Sequence, residues 1–195
     1  MQPEAPRRNT QFEVRRPVVP ALRAFGNGVT LASFVVDAGL PLADFEQRHG
    51  AAFLLCDSVQ SAVATGALST LNGTTADTSN VVVGVFSDST VFPLVRRTDS
   101  RFEFVSVGRH ENNDVYLPAQ SVSRFHAFFK TQGRDFLVQD CNSQNGSQLD
   151  GIAVLRQREG QPVLVAAGAQ IAFGDVRTTF LTAAMLIELL ARLTR

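Results

Sequence analysis

From Phe104 to Thr182, short apolar runs alternate with clusters of Gly, Pro, Asn, Asp and Ser. This pattern predicts strands punctuated by polar loops. Phe104 to Val107, Asp114 to Leu117, Phe125 to Thr131 and Asp135 to Gln139 read as strands. Ile152 to Leu155, Val163 to Val165, Gln170 to Phe173 and Thr178 to Leu181 continue the series, with turns at Gly168 and at Gly174-Asp175. Val91 to Arg96 is also strand-like, and Pro93 places it at a sheet edge or at a bulge, because proline cannot donate to a ladder. The period then changes. After Thr182, a helix N-cap residue, Met185, Leu186, Leu189, Leu190 and Leu193 fall on one stripe of a helix that runs to the end of the chain. That stripe packs on the N-terminal segment or on the strands, or else forms a face for a partner.

The first part of the chain reads differently. Residues 1–20 combine four prolines with Arg7, Arg8, Arg15 and Arg16, which predicts a flexible arm. Residues 21–80 form an α-containing segment ending in a linker. Within it, Leu31, Phe34, Val35 and Ala38 are helically spaced, and Pro41 to His49 suits a short helix broken by Gly50. Ala51 to Cys56 (AAFLLC) is a buried strand or a buried helical turn, since a short apolar run has no period that separates the two. Asn72 to Asn80 has turn chemistry throughout and exposes Thr74, Thr75 and Thr78 as potential kinase substrates. Val81 to Phe86 is β-branched and reads as a strand. The expected organisation is therefore an arm (1–20), the α-containing segment (21–80), a β-sandwich (81–182) and a C-terminal helix (183–195), mainly β overall.

Composition narrows the function. The 195 residues carry no net charge, and the pI is about 6.8, so there is no overall basic field for nucleic acid or anionic membrane. No apolar run has membrane-spanning length, and residues 1–16 lack the apolar core of a signal peptide, so a cytoplasmic protein is expected. Cys56 and Cys141 have no paired spacing and read as two reduced thiols. No P-loop, metal-ligand cluster or nucleophile elbow is present. Ser123 and His126 invite a hydrolase reading, but no acidic partner stands at a recognisable position, so no catalytic residue, metal or cofactor is expected.

The distinctive residues lie in the loops: Gly108-Arg109, then Asn113-Asp114-Val115, then Ser123-Arg124-Phe125-His126, then Asp140 through Ser143 to Asn145-Gly146, and Ile171 to Gly174 at the close. Loops at one end of a sandwich bring distant polar groups together. An arginine fork, a hydroxyl and an amide meeting there make an anion site. In this order, the motifs resemble those of bacterial forkhead-associated (FHA) domains, over roughly Val81 to Thr182. The resemblance implies an FHA-like β-sandwich that binds phosphothreonine peptides and performs no catalysis.

It also implies roles. Arg109 is the main phosphate ligand, and Ser123 donates its hydroxyl to a phosphate oxygen. Arg124 supplies a second cation or a contact to the peptide backbone, unless it is an ordinary surface arginine. Asn145 bonds the peptide main chain with an amide that both donates and accepts. Gln144 stands where many members have Thr or Lys, so it offers an N–H without a charge. Gly108, Asn113, His126 and Gly146 support the site: Gly108 by letting another backbone approach, Asn113 by shaping its loop, His126 by bracing two loops, and Gly146 through a positive φ. The expected partner is a phosphothreonine-containing protein, such as a Ser/Thr kinase or its substrate, with neither nucleic acid nor membrane insertion. The alternative is a scaffold that binds partners without phosphate, through the N-terminal segment or the last helix.

Overall fold

Side chains along a strand alternate between faces, and here that alternation separates two cores. The computed structural model describes residues 26–56, 89–98, 100 and 102–193. The expected arm over 1–20, the loop over 72–80 with its three threonines and the strand over 81–86 lie outside those residues. Twelve strands are described: β1 (Val29–Thr30), β2 (Ala52–Cys56), β3 (Thr90–Pro93), β4 (Val105–Gly108), β5 (Val115–Tyr116), β6 (Ala127–Gln132), β7 (Asp135–Asp140), β8 (Ser147–Leu149), β9 (Ile152–Val154), β10 (Val163–Leu164), β11 (Gln170–Phe173) and β12 (Val176–Thr182). They form a seven-stranded sheet in the order β1-β3-β2-β12-β11-β8-β9 and a five-stranded sheet in the order β10-β7-β6-β4-β5.

Val107, Leu54, Ala127, Phe129, Phe173 and Phe180 belong to the core between the sheets. The opposite face of the seven-stranded sheet carries a second core. There Phe53, Leu55, Val91 and Leu181 meet a 3-10 helix (Leu31–Asp37), α1 (Leu42–His49) and α2 (Ala183–Leu193), through Leu31, Phe34, Phe45, Leu186 and Leu190. Thr182 caps α2 by accepting the Met185 N–H at Oγ1. The leucine stripe of that helix thus packs on the α-containing segment and on the sheet.

β2 corrects the expected boundary at residue 81. It lies inside the sheet between β3 and β12, pairing Leu54 with Phe92 on one side and with Phe180 on the other. All five of its residues are buried. Ala52, Leu54 and Cys56 face one core while Phe53 and Leu55 face the other, which is why AAFLLC shows no alternation of polarity. The sandwich therefore takes in residues of the 21–80 segment. β3 is likewise an inner strand, and its last residue, Pro93, lies beyond the two residues of β1. Residues 26–28 bridge the sheets at this side: the Asn27 amide donates to Asp114 O and accepts from Tyr116 N, both at 2.8 Å, so it closes the free edge of β5.

Candidate functional site

The C-terminal end of β4 meets the loops that follow β5 and β7, and each junction has its own staple. Loops 109–113 and 117–126 are joined by backbone bonds from Arg109 N to Ser123 O (2.8 Å) and from His110 N to Arg124 O (3.2 Å). Buried Asn113 reinforces them, its Nδ2 donating to His110 O and Arg124 O, both at 2.7 Å. Gly108 is required for this approach, because a Cβ there would lie 2.4 Å from Arg124 O.

His126 joins the second loop to the third. It is fully buried. Its Nδ1 lies 2.9 Å from Ser123 N and must accept that N–H, so the ring proton sits on Nε2 and is donated to Gly146 O at 3.1 Å. Burial holds His126 below the usual histidine range and outweighs the Gly146 carbonyl and the Asp140 carboxylate, which both favour the charged form. Gln144 N donates to Ser123 Oγ at 3.0 Å, and Asn145 Nδ2 donates to Ser121 O at 2.8 Å. Gly146 has φ +76°, the left-handed conformation that lets loop 141–146 turn into β8.

These staples leave a definite set of groups facing outward. Ser123 is held through its N–H, its carbonyl and one lone pair of Oγ, and its hydroxyl proton remains to donate. Arg109 is exposed; Nε donates to Val122 O at 3.0 Å, and the two terminal nitrogens of the fork have no hydrogen-bond partner among the described residues. Arg124 is exposed beside it, and neither arginine pairs with a carboxylate among the described residues. Arg109, Ser121, Ser123, Arg124, Phe125 and Gln144 line a cleft of about 400 Å³ that has no Asp or Glu in its wall. Asn145 stands beside it, and its Oδ1 accepts no hydrogen bond among the described residues. Two guanidinium groups, a hydroxyl and an amide without a carboxylate suit a doubly charged, oxygen-rich anion.

A family model for the FHA domain matches residues 105–174. The chain is 31% identical over 117 residues to an oxoglutarate dehydrogenase inhibitor of Corynebacterium jeikeium, over 56% of this chain and 77% of that protein. The chain belongs to the FHA-domain family. This FHA protein is also 35% identical over 77 residues to the glycogen accumulation regulator GarA of Mycolicibacterium smegmatis, over 40% of this chain and 45% of that one. It thus spans about half the length of that relative. Among solved structures, it is similar to the FHA domain of the CT664 protein of Chlamydia trachomatis (TM-score 0.42, 19% identity, 67% of this chain and 96% of that one). It is also similar to Mycobacterium tuberculosis EmbR, solved in complex with a low-affinity phosphopeptide (TM-score 0.41, 20% identity, 77% and 29%).

Part of what shapes the FHA cleft was missed in the sequence. Ser121 takes the Asn145 amide on its carbonyl and the Asp175 N–H on its hydroxyl. Gly174, at φ +58°, lets the β11–β12 turn close on it, for a Cβ there would lie 2.5 Å from Ser121 O. Asp140 is buried beneath loop 141–146 and accepts from Ser143 N (2.9 Å), Ser143 Oγ (2.6 Å) and Ser147 Oγ (2.7 Å). Its motif was visible, but nothing in the motif says that one carboxylate holds three donors. Asp114 does the same below the first loop, accepting from Arg97 N, Ser106 N and Ser106 Oγ.

Proposed function

We propose that this protein is a non-catalytic reader of phosphothreonine peptides, acting in the cytoplasm downstream of a Ser/Thr protein kinase. The observation that carries the reading is the cleft in which Arg109, Arg124 and the Ser123 hydroxyl converge with no carboxylate in its wall. In this reading, Arg109 takes the phosphate with its terminal nitrogens, Ser123 donates its hydroxyl, and Gln144 and Arg124 complete the anion contact. Asn145 accepts a peptide N–H, with Gly108, Asn113, His126 and Gly146 holding the loops. Charge-assisted bonds contribute about 1.5–3 kcal/mol each, so two or three to the phosphate supply roughly 3–9 kcal/mol before ordering costs. Micromolar affinity, about 8 kcal/mol, is in that range.

The same geometry supports the absence of catalysis. Both nitrogens of His126 are committed to loop bracing, so it is not free to act as a base toward Ser123. The names of the relatives, a regulator and an inhibitor, fit a protein that acts by binding other proteins. The partner is then a phosphorylated kinase, kinase substrate or enzyme. Calorimetry with matched phosphothreonine and threonine peptides, on the wild-type chain and on Arg109→Ala, tests the reading. Binding should require the phosphate, and Arg109→Ala should weaken it at least about tenfold with unchanged circular dichroism. Equal binding of the two peptides would instead establish the phosphate-independent scaffold.

A further inference from the structure

One cluster outside the loop staples is left unexplained by the phosphate contacts. Phe102 and Phe104 lie just before β4 with their rings stacked, centroids 4.8 Å apart and planes within 11°. Phe125 joins them at 5.9 and 6.1 Å, and Phe104 continues to Phe128 at 4.6 Å. Phe128 alternates on β6 with inward-facing Ala127 and Phe129, so the four rings form a stripe on the outer face of the five-stranded sheet. The Lys130 ammonium, 5.6 Å from the Phe128 centroid, bounds its far end. Shielding the sheet accounts for Phe128, which is buried, and for Phe104, which covers it. It does not account for Phe102, which stacks outside Phe104 and keeps 49% of its surface exposed, or for Phe125, 36% exposed. Phe125 belongs to both structures, because it also lines the cleft beside Arg109 and Arg124.

We propose that this stripe is a second half of the peptide site, taking an apolar side chain that flanks the phosphothreonine. The proposal rests on the phosphopeptide reading above and adds what that reading lacks, a sequence preference. Three observations favour this occupant. The stripe is continuous with the cleft through one residue. Same-face side chains of an extended peptide repeat at about 6.5 Å, close to the 6.1 Å between Phe125 and Phe104, so alternate residues of a peptide anchored at Arg109 can follow the rings. Finally, the stripe is cationic at both ends, with Arg124 at one and Lys130 at the other. A twofold contact between copies would set cation against cation in either orientation, whereas a phosphorylated, acidic peptide is complementary.

The test is fluorescence anisotropy with peptides carrying one phosphothreonine in an alanine background, with leucine placed in turn at the three positions on either side. Leucine at one position, or at two alternate positions, should tighten binding to the full chain about three- to tenfold, the range of an aromatic packing contact. Phe102→Ser should abolish that gain while the all-alanine phosphopeptide binds as before. Phe125→Ser supplies a second comparison of the leucine gain if Phe102→Ser lowers the melting temperature. If the alanine phosphopeptide binds through Arg109 but leucine gains nothing anywhere, the stripe proposal falls and the phosphate reading stands. A gain that survives both substitutions also overturns it. Absence of phosphopeptide binding overturns both proposals, and a dimer in sedimentation that dissociates in Phe102→Ser overturns the stripe in favour of self-association.

Discussion

Replacing His126 with alanine removes the buried link between the two loops that form most of the cleft, leaving the bonds from Gln144 N to Ser123 Oγ and from Asn145 Nδ2 to Ser121 O. The consequences are unequal for its two partners. Gly146 O still accepts from Gly174 N at 3.1 Å, but Ser123 N–H loses its acceptor. An orphaned donor costs about 1–3 kcal/mol. The vacated volume and the lost edge contact with Phe173, at 5.8 Å between ring centroids, add a comparable amount. A total near 3 kcal/mol corresponds to a fall in Tm of about 6–12 °C for a chain of this size. The sign of the pH dependence follows from burial. The unfolded chain takes a proton on this histidine near the ordinary value of 6.5, and the folded chain resists it to lower pH. The contribution of His126 is therefore complete above that value and shrinks as pH falls below it, because there the unfolded state binds more protons. Scanning fluorimetry of wild type and His126→Ala from pH 8 to pH 5 should show the largest Tm difference at the alkaline end and a smaller one at pH 5. Equal melting at pH 8, or a gap that widens in acid, would refute the bracing argument. Equal melting with phosphopeptide binding abolished would make His126 a ligand contact instead.

Further substitutions probe the other supports. Gly108→Ala should push the Arg124 backbone away from β4, lowering stability by about 1–3 kcal/mol in urea melts and weakening phosphopeptide binding together. Asp140→Ala strands Ser143 N, Ser143 Oγ and Ser147 Oγ, and should cost at least about 3 kcal/mol by the same measurement. Burial, with the neighbouring Asp140 carboxylate second, pushes the Cys141 thiol up to about 12, so it stays protonated at pH 8. Its labelling by a disulfide reagent should run at least about tenfold slower in the folded chain than in urea.

Strands with one dry face were legible in the sequence, because their polarity alternates. Gln170–Phe173 occupies the span its pattern predicts. Strands with two dry faces were not, since packing on both sides erases the alternation; β2 is the case in point. β8 was missed because its three residues follow an Asn-Gly turn and two of them are polar, and it is their pairing with β11 that makes them a strand. The site divides along a similar line. Arg109, Ser123 and His126 stand in a recognisable order, while the closure of Gly174 on Ser121 joins residues far apart in the chain, with nothing local to announce it.

The central position of β2 has a consequence for how the chain reaches this fold. The family match spans residues 105–174, yet the strand pair β2–β12 lies wholly outside it and joins residues more than a hundred positions apart. Such a pairing carries a high entropic cost of loop closure and contributes no stability until nearly the whole segment between has been made, which favours slow, late completion of the seven-stranded sheet. A fragment cut to the matched span would lack β1, β2, β3 and β12, leaving the edge of β11 that pairs with β12 open and uncovering core residues of the five-stranded sheet. The cleft loops are encoded inside that span, but the scaffold that keeps them in register is completed by its two flanks.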